Sequence, residues 1–426
     1  MGTTGKPGPR RTRDTYRDVI GLTGPLLPGV SFLGRLPTAT VQFGSVLLVA
    51  RTSGSLSAAG LTGGALALGQ VVCGPLVGRL ADRHGQRPVV LAFSLAHALA
   101  TAALVTGALA GLPTALLALL GAVTGATVPL VGPLARARLV ALARRAGAPE
   151  HTVGAALSFE STLDELSFVL GPALVGLAAV LAHPAYALAA AALLAATCGT
   201  AFALHPTAHA VRPTPAGPTP GRRSPMPRSP MPRSVHALRA ALALQGAMFG
   251  ACQAGITALT ARLGQEDQAG LVYAAMGVMS ALAGFGMAAV PARIGLRTRW
   301  RLATGAALLL SLPLPVSHGL PGLYAVVTVL GASYAPHLVT VFGLTERAVP
   351  PSRLAEAMAS ATSSLVAGQA LAVAATGPLA DSHGPSAAFA TATASAALTF
   401  TIALTARPAP FLPPTESTTP ARADAT

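Results

Sequence analysis

Gly78-Arg-Leu-Ala-Asp82-Arg83-His-Gly85-Gln-Arg87 is the stretch on which the reading of this chain turns. It follows an apolar run and sets three arginines and a histidine around one acid. The glycines permit a sharp turn, and the arginines suit an anionic membrane surface. Asp82 is the odd residue, an acid in a cationic loop. Similar charge clusters separate apolar runs throughout the sequence. The runs are of about 20 residues, the length that crosses a hydrocarbon core about 30 Å thick.

Composition agrees with that pattern. Of 426 residues, 52% are hydrophobic and 10% charged, and the mean hydropathy is +0.59, values that exclude an ordinary water-soluble domain. The net charge of +15 comes almost wholly from arginine, Lys6 being the only lysine. Taken alone it would suggest a nucleic-acid binder; the confinement of the charges to inter-run loops argues instead for a lipid bilayer and against nucleic acid. Cys73, Cys198 and Cys252 lie apart in apolar runs without metal-ligand spacing, so neither metal nor cofactor is expected. The basic N-terminus resembles a signal peptide, but the following run is too long and holds Pro25, Pro28 and Arg35, so it is expected to remain as a first helix.

Apolar runs fall at about 24–50, 56–79, 88–110, 113–135, 153–181, 184–204, 237–261, 268–291, 302–318, 320–344, 355–380 and 386–406. They must be helices, because lipid offers no partner for an open backbone and the runs lack the alternation of barrel strands. The expected fold is an all-α integral membrane protein of twelve transmembrane helices in two six-helix bundles. With a cytoplasmic N-terminus, nearly all basic residues fall on the inner side, including Arg136, Arg138, Arg144 and Arg145; Arg51 and Arg262 fall outside and Arg35 lies within a helix. Expected boundaries are a cytoplasmic segment 1–23, bundles 24–204 and 237–406, a disordered cytoplasmic linker 205–236 and a cytoplasmic tail 407–426. The linker carries tandem Ser224-Pro-Met-Pro-Arg228 and Ser229-Pro-Met-Pro-Arg233, a composition that cannot bury a core. The expected location is the cell membrane, with both termini cytoplasmic.

The Gly78–Arg87 loop, set between the second and third helices, resembles the signature loop of the major facilitator superfamily, Gly-x-Leu-x-Asp-Arg-x-Gly-Arg-Arg/Lys. It matches at Gly78, Leu80, Asp82, Arg83, Gly85 and Arg87, with Gln86 in place of one basic residue. The resemblance implies that Asp82 sits at the N-terminal end of the eleventh helix, where a partial positive charge favours an anion, and latches the halves in one state. A plain topology anchor is the alternative. The corresponding loop of the second half, Ala292-Arg293-Ile-Gly295-Leu-Arg297, has Ala292 where Asp82 stands, so the latch is expected to be asymmetric. Gly377-Pro-Leu-Ala-Asp381-Ser-His-Gly384, on the opposite side, is assigned a turn.

Glu160, Asp164 and Glu165 place three acids in the fifth helix. Residues 160 and 164 stack one turn apart, while Glu165 points about 100° away from Asp164. Charges at membrane depth normally face a cavity or a partner, or take up a proton. Two readings stay open: a proton-coupling or substrate site, and a buried pairing of Arg35 with Asp164 or Glu160. Downstream, Gly171-Pro172-Ala-Leu-Val-Gly176 partly matches the Gly-Pro motif that the family associates with exporters, and is expected to pack helices. The fourth helix, 116–134, lacks the intramembrane arginine of many proton-driven drug exporters. Gln42, Gln245, Gln253, Tyr334 and His337 are polar residues on helices expected to line the cavity, His337 being able to titrate near neutrality. With aromatics at 4%, no aromatic cage for a cationic drug is expected.

Other classes fare worse. A phosphate-binding loop needs Gly-Lys-Ser/Thr, which Lys6 does not provide, and no serine-nucleophile elbow or His-Glu-x-x-His is present, so no enzyme is expected. The reading is a secondary transporter moving a small molecule by alternating access, with proton-coupled efflux preferred. Its alternatives are an importer or symporter of a metabolite and a non-transporting sensor. Nothing requires more than a monomer.

Overall fold

A computed structural model describes residues 12–211, 231–265, 268–291 and 293–407. The tandem Ser-Pro repeat before 231, the tail beyond 407, Lys6 and Ala292 lie outside the described residues. Helix follows helix, with no strand among the described residues. A short α1 (Thr12–Thr23) precedes α2 (Leu26–Ser53), α3 (Leu56–His84) and α4 (Gln86–Leu109). The fourth span is divided into α5 (Thr114–Ala126) and α6 (Val131–Arg145), and α7 (Glu150–Leu181) follows. The sixth joins α8 (Pro184–Leu194) to α9 (Thr200–Leu204) through a π-turn at Ala195–Gly199. The second half holds α10 (Arg233–Arg262), α11 (Gln268–Gly286), α12 (Leu296–Ser311), α13 (Leu320–Ala348), α14 (Leu354–His383) and α15 (Pro385–Thr405).

Among the described residues, eleven spans are long and apolar enough to cross a bilayer. The twelfth, α12, is shorter at 16 residues and packs in the bundle beside α13 and α15. It starts earlier than the apolar run at 302, because Arg297, Arg299 and Arg301 ride on its first turns, and it ends where Pro313 and Pro315 interrupt the ladder. Three further departures have local causes. The segment 12–23 is helical and seats Val19 against Leu139, Ala155 and Ala156. Residues 206–210, read as linker, form a 3₁₀ turn with Ala208 and Ala210 buried, and α10 begins at Arg233. The fourth helix extends ten residues beyond the run's end at 135.

The chain reverses at each loop, so one end of the bundle carries Arg79, Arg83, Arg144, Arg347 and Arg353, and the other carries Arg51 and Arg262. At the arginine-rich end one apolar core is shared by both halves, joining Leu134, Val140 and Leu157 to Leu338, Phe342, Leu354 and Met358. At the far end each half has its own core: Leu48, Leu104 and Leu188 in the first, Ile256, Leu323 and Phe389 in the second. The halves therefore share one apolar core at the arginine-rich end and keep separate cores at the other.

Gly85 alone separates α3 from α4, at φ 86°, and Gly384 alone separates α14 from α15, at φ 83°. Left-handed φ without a Cβ penalty is what lets a one-residue corner form. The two corners stand at opposite ends of the bundle.

Candidate functional site

α2, α6 and α7 bring four charges together at membrane depth. Glu160 and Asp164 stack on one face of α7, and Arg35 of α2 reaches both. Its Nη1 donates to Asp164 Oδ1 at 2.8 Å and to the Glu160 carbonyl at 3.0 Å, its Nη2 to Ser31 Oγ at 2.6 Å and to the Glu160 carboxylate, and its Nε to the Ser31 carbonyl at 3.2 Å. Arg136 Nη2 donates to Asp164 Oδ2, and its guanidinium lies 3.8 Å from the centre of the Phe342 ring. Two arginines against two carboxylates make a neutral cluster, the arrangement in which buried ions are tolerated. Both pairings considered from sequence are formed at once.

Arg136 and Arg138 correct the sequence reading. Instead of lying in an inner loop they are helical and 1% and 0% exposed, and the fourth span, whose apolar run ends at 135, continues through both. Thr127-Val-Pro129 breaks the span, Leu130 takes a left-handed backbone at φ 50°, and α6 starts afresh at Val131. Asp164 lies against that first turn, where the helix dipole favours a carboxylate; a Cβ on Gly132 would come within 2.6 Å of Asp164 Oδ1. Arg138 faces away from this cluster. Its Nε donates to Gln86 Oε1 at 2.8 Å, its Nη1 to the Phe202 carbonyl at 2.9 Å, and it stacks on Phe202 at 3.8 Å.

Beside the neutral cluster a cavity of about 60 Å³ opens between the halves. Arg136, Asp164, Glu165 and Phe168 line it from the first half, and Gln245, Phe249, Tyr334, Leu338, Phe342, Thr362, Leu365 and Gln369 from the second. Glu165 has no ion-pair partner among the described residues. Phe249 packs on Tyr334, ring centres 5.5 Å apart, and on Tyr273 at 4.9 Å. Aromatic rings thus converge on the cavity despite their scarcity in the sequence. His337 is buried but is not among the cavity's lining residues.

At the arginine-rich end Asp82 meets α14 as a cap supplied by another helix. The N–H groups of Ala355 and Glu356 donate to its Oδ1 and Oδ2 at 3.1 and 2.8 Å, while the residue before α14, Arg353, makes no side-chain cap. Gly78 makes the approach possible, since a Cβ there would lie 2.7 Å from the Ala355 carbonyl oxygen. Arg79 Nε donates to Glu356 Oε1 at 2.6 Å; Arg83 and Arg87 are exposed. A second tie, not foreseen from sequence, crosses the same end: Arg144 pairs with Glu346 at 3.2 Å and with Glu150, and Arg347 pairs with Glu150 at 2.6 Å. In the Gly-Pro motif Gly171 packs on α2, a Cβ there falling 2.8 Å from the Thr40 nitrogen, whereas Gly176 has no atom within 4 Å of a built Cβ and packs no helix. Pro172 lies inside α7.

Two six-helix halves that share a core at one end, keep separate cores at the other and enclose a charged cavity are the architecture of a membrane transporter. The family model described as "Major Facilitator Superfamily" matches residues 29–361. The chain belongs to the major facilitator superfamily. Among solved structures it is similar to the human organic anion transporter MFSD10 (TETRAN), at 18% identity and TM-score 0.64 over 93% of this chain and 100% of that one. It is also similar to a bacterial homologue of the iron transporter ferroportin in an outward-facing state, at 14% identity and TM-score 0.69 over 89% and 98%. A third is the E. coli fucose:proton symporter FucP, at 15% identity and TM-score 0.62 over 92% and 98%. These likenesses establish the fold. No curated protein matches the sequence.

Proposed function

We propose that this chain is a proton-coupled secondary transporter that carries a small molecule through the central cavity by alternating access and works as an exporter. The observation that carries the reading is Glu165. It is the one acid of the four on α7 left without an arginine among the described residues, and it lines the cavity between the halves. A carboxylate at membrane depth with no counter-charge is neutralised by a proton or by a cationic ligand, which is the exchange that antiport requires. Glu160 and Asp164, charge-balanced by Arg35 and Arg136, serve this reading as its fixed frame.

The excess of arginine at the Asp82 end supports a cytoplasmic position for that end and for both termini, in the cell membrane. The described state is then outward-facing, with Asp82 holding the inner gate shut. Gly171-Pro172 supports export through its likeness to the exporter motif. The test is a vesicle assay with the purified chain as a monomer, an imposed proton gradient and a lumenal pH dye. Compound-dependent proton movement that Glu165→Gln abolishes is expected. Undiminished flux in that variant removes Glu165 from coupling.

A further inference from the structure

The following rests on the central cavity being the substrate site. Counting Arg35, Arg136, Glu160, Asp164 and Glu165, the charged groups in and behind the cavity sum to minus one, and the uncompensated charge is the Glu165 carboxylate on the wall. A second acceptor lines the same cavity. Gln245 is 3% exposed, and its Nε2 donates to the Tyr334 carbonyl at 3.0 Å. Because a carbonyl only accepts, that bond fixes which way the amide points and leaves Gln245 Oε1 without a donor among the described residues. Phe168, Phe249 and Tyr334 supply ring surface, which attracts cations. The cavity's cation, Arg136, is neutralised by Asp164 and seated on Phe342, though its Nε and Nη1 have no hydrogen-bond partner among the described residues. Those two donors suit a neutral acceptor on the ligand.

We propose that this cavity takes a small organic monocation, a protonated amine on an aromatic or apolar body, with its ammonium between the Glu165 carboxylate and Gln245 Oε1. Size follows from the space. About 60 Å³ is room for a few waters, so the ligand is compact. The other titratable or charged groups around Glu165 are Asp164 on its own helix, Arg136 of α6, Tyr273 of α11 and Tyr334 of α13, with Cys252 of α10 behind Tyr334.

The experiment holds shape nearly constant and varies charge. 2-Phenylethylamine, 2-phenylethanol and 3-phenylpropionate are titrated calorimetrically into the purified full chain, and into Glu165→Gln and Glu165→Asp, each first shown to unfold at the wild-type temperature. The amine is expected to bind at least about tenfold more tightly than the alcohol, with the carboxylate weakest. Glu165→Gln is expected to erase the preference for the amine over the alcohol, and Glu165→Asp to retain most of it. Tighter binding of phenylpropionate, an amine preference that survives in Glu165→Gln, or no binding by any of the three overturns the proposal. Proton-driven flux of another compound in the vesicle assay, alongside any of those results, leaves transport standing and removes only the cation.

Discussion

Gly132 and Asp164 compete for one space: the Asp164 carboxylate occupies the position next to the first turn of α6 that any side chain at residue 132 would fill, with 2.6 Å between its Oδ1 and a Cβ built there. The absence of a side chain at 132 is therefore a condition for the Arg35–Asp164–Arg136 cluster.

Gly132→Ala is expected to displace the carboxylate and loosen both arginines, costing about 1–3 kcal/mol as an overpacked site and abolishing flux. Gly176→Ala, at a position with no neighbour within 4 Å of the added methyl, is expected to be silent. Thermal unfolding of the two purified variants, side by side with wild type, checks both.

Removing the borrowed cap of α14 is expected to favour opening at the Asp82 end. Loss of an N-cap costs about 0.5–2 kcal/mol, which shifts a two-state population about 2- to 30-fold. Asp82→Ala and Gly78→Ala should both raise the reactivity of a cysteine placed at Ala137, a residue facing the groove at that end. Equal reactivity in wild type and variants counts against the latch.

Arg136 and Asp164 are expected to behave as a unit. Breaking a buried pair costs about 3–5 kcal/mol because it strands one charge. Arg136→Gln and Asp164→Asn alone should each destabilise strongly, and together should cost less than the sum, with a coupling of about 0.5–3 kcal/mol. Strict additivity in a double-mutant cycle removes the pair from the account.

The Arg144–Glu346 and Arg347–Glu150 ties call for a different result. Arg144, Arg347 and Glu150 have side chains 41%, 44% and 52% exposed, so each pair contributes about 0–1 kcal/mol and is screened by salt. Glu150→Gln is expected to leave the unfolding temperature within error in 0.5 M salt and to speed opening of the arginine-rich end only at low ionic strength, a difference that spin-label distances across α7 and α13 can follow.

What the sequence disclosed and what it withheld divide along one line. Span positions were legible because apolar run length is a local property, and Asp82 was legible through its family likeness. Arg136 and Arg138 were not, because a hydropathy run ends at its first arginine whether or not partners wait for it. Their burial depends on Asp164, 28 residues on, and on Phe202, 64 residues on. One signal was present: Ala135-Arg-Ala-Arg-Leu-Val-Ala-Leu-Ala continues an apolar helix through both cations. Gly171 and Gly176 show the converse, two glycines of one motif of which only the first has a helix against it. Glu165 was visible as an acid, but its lack of an ion-pair partner among the described residues is knowable only once Arg35 and Arg136 are seen to be spent on its neighbours.

The one-residue corner at Gly85 has a mechanical meaning. With a single residue between them, α3 and α4 have no slack to slide past each other, and a pull on one is transmitted to the other within a turn of helix. Whatever parts Asp82 from Ala355 must therefore carry α3 and α4 away from α14 as one lever, so that a bond made by two carboxylate oxygens holds down a stiff arm rather than a loose loop.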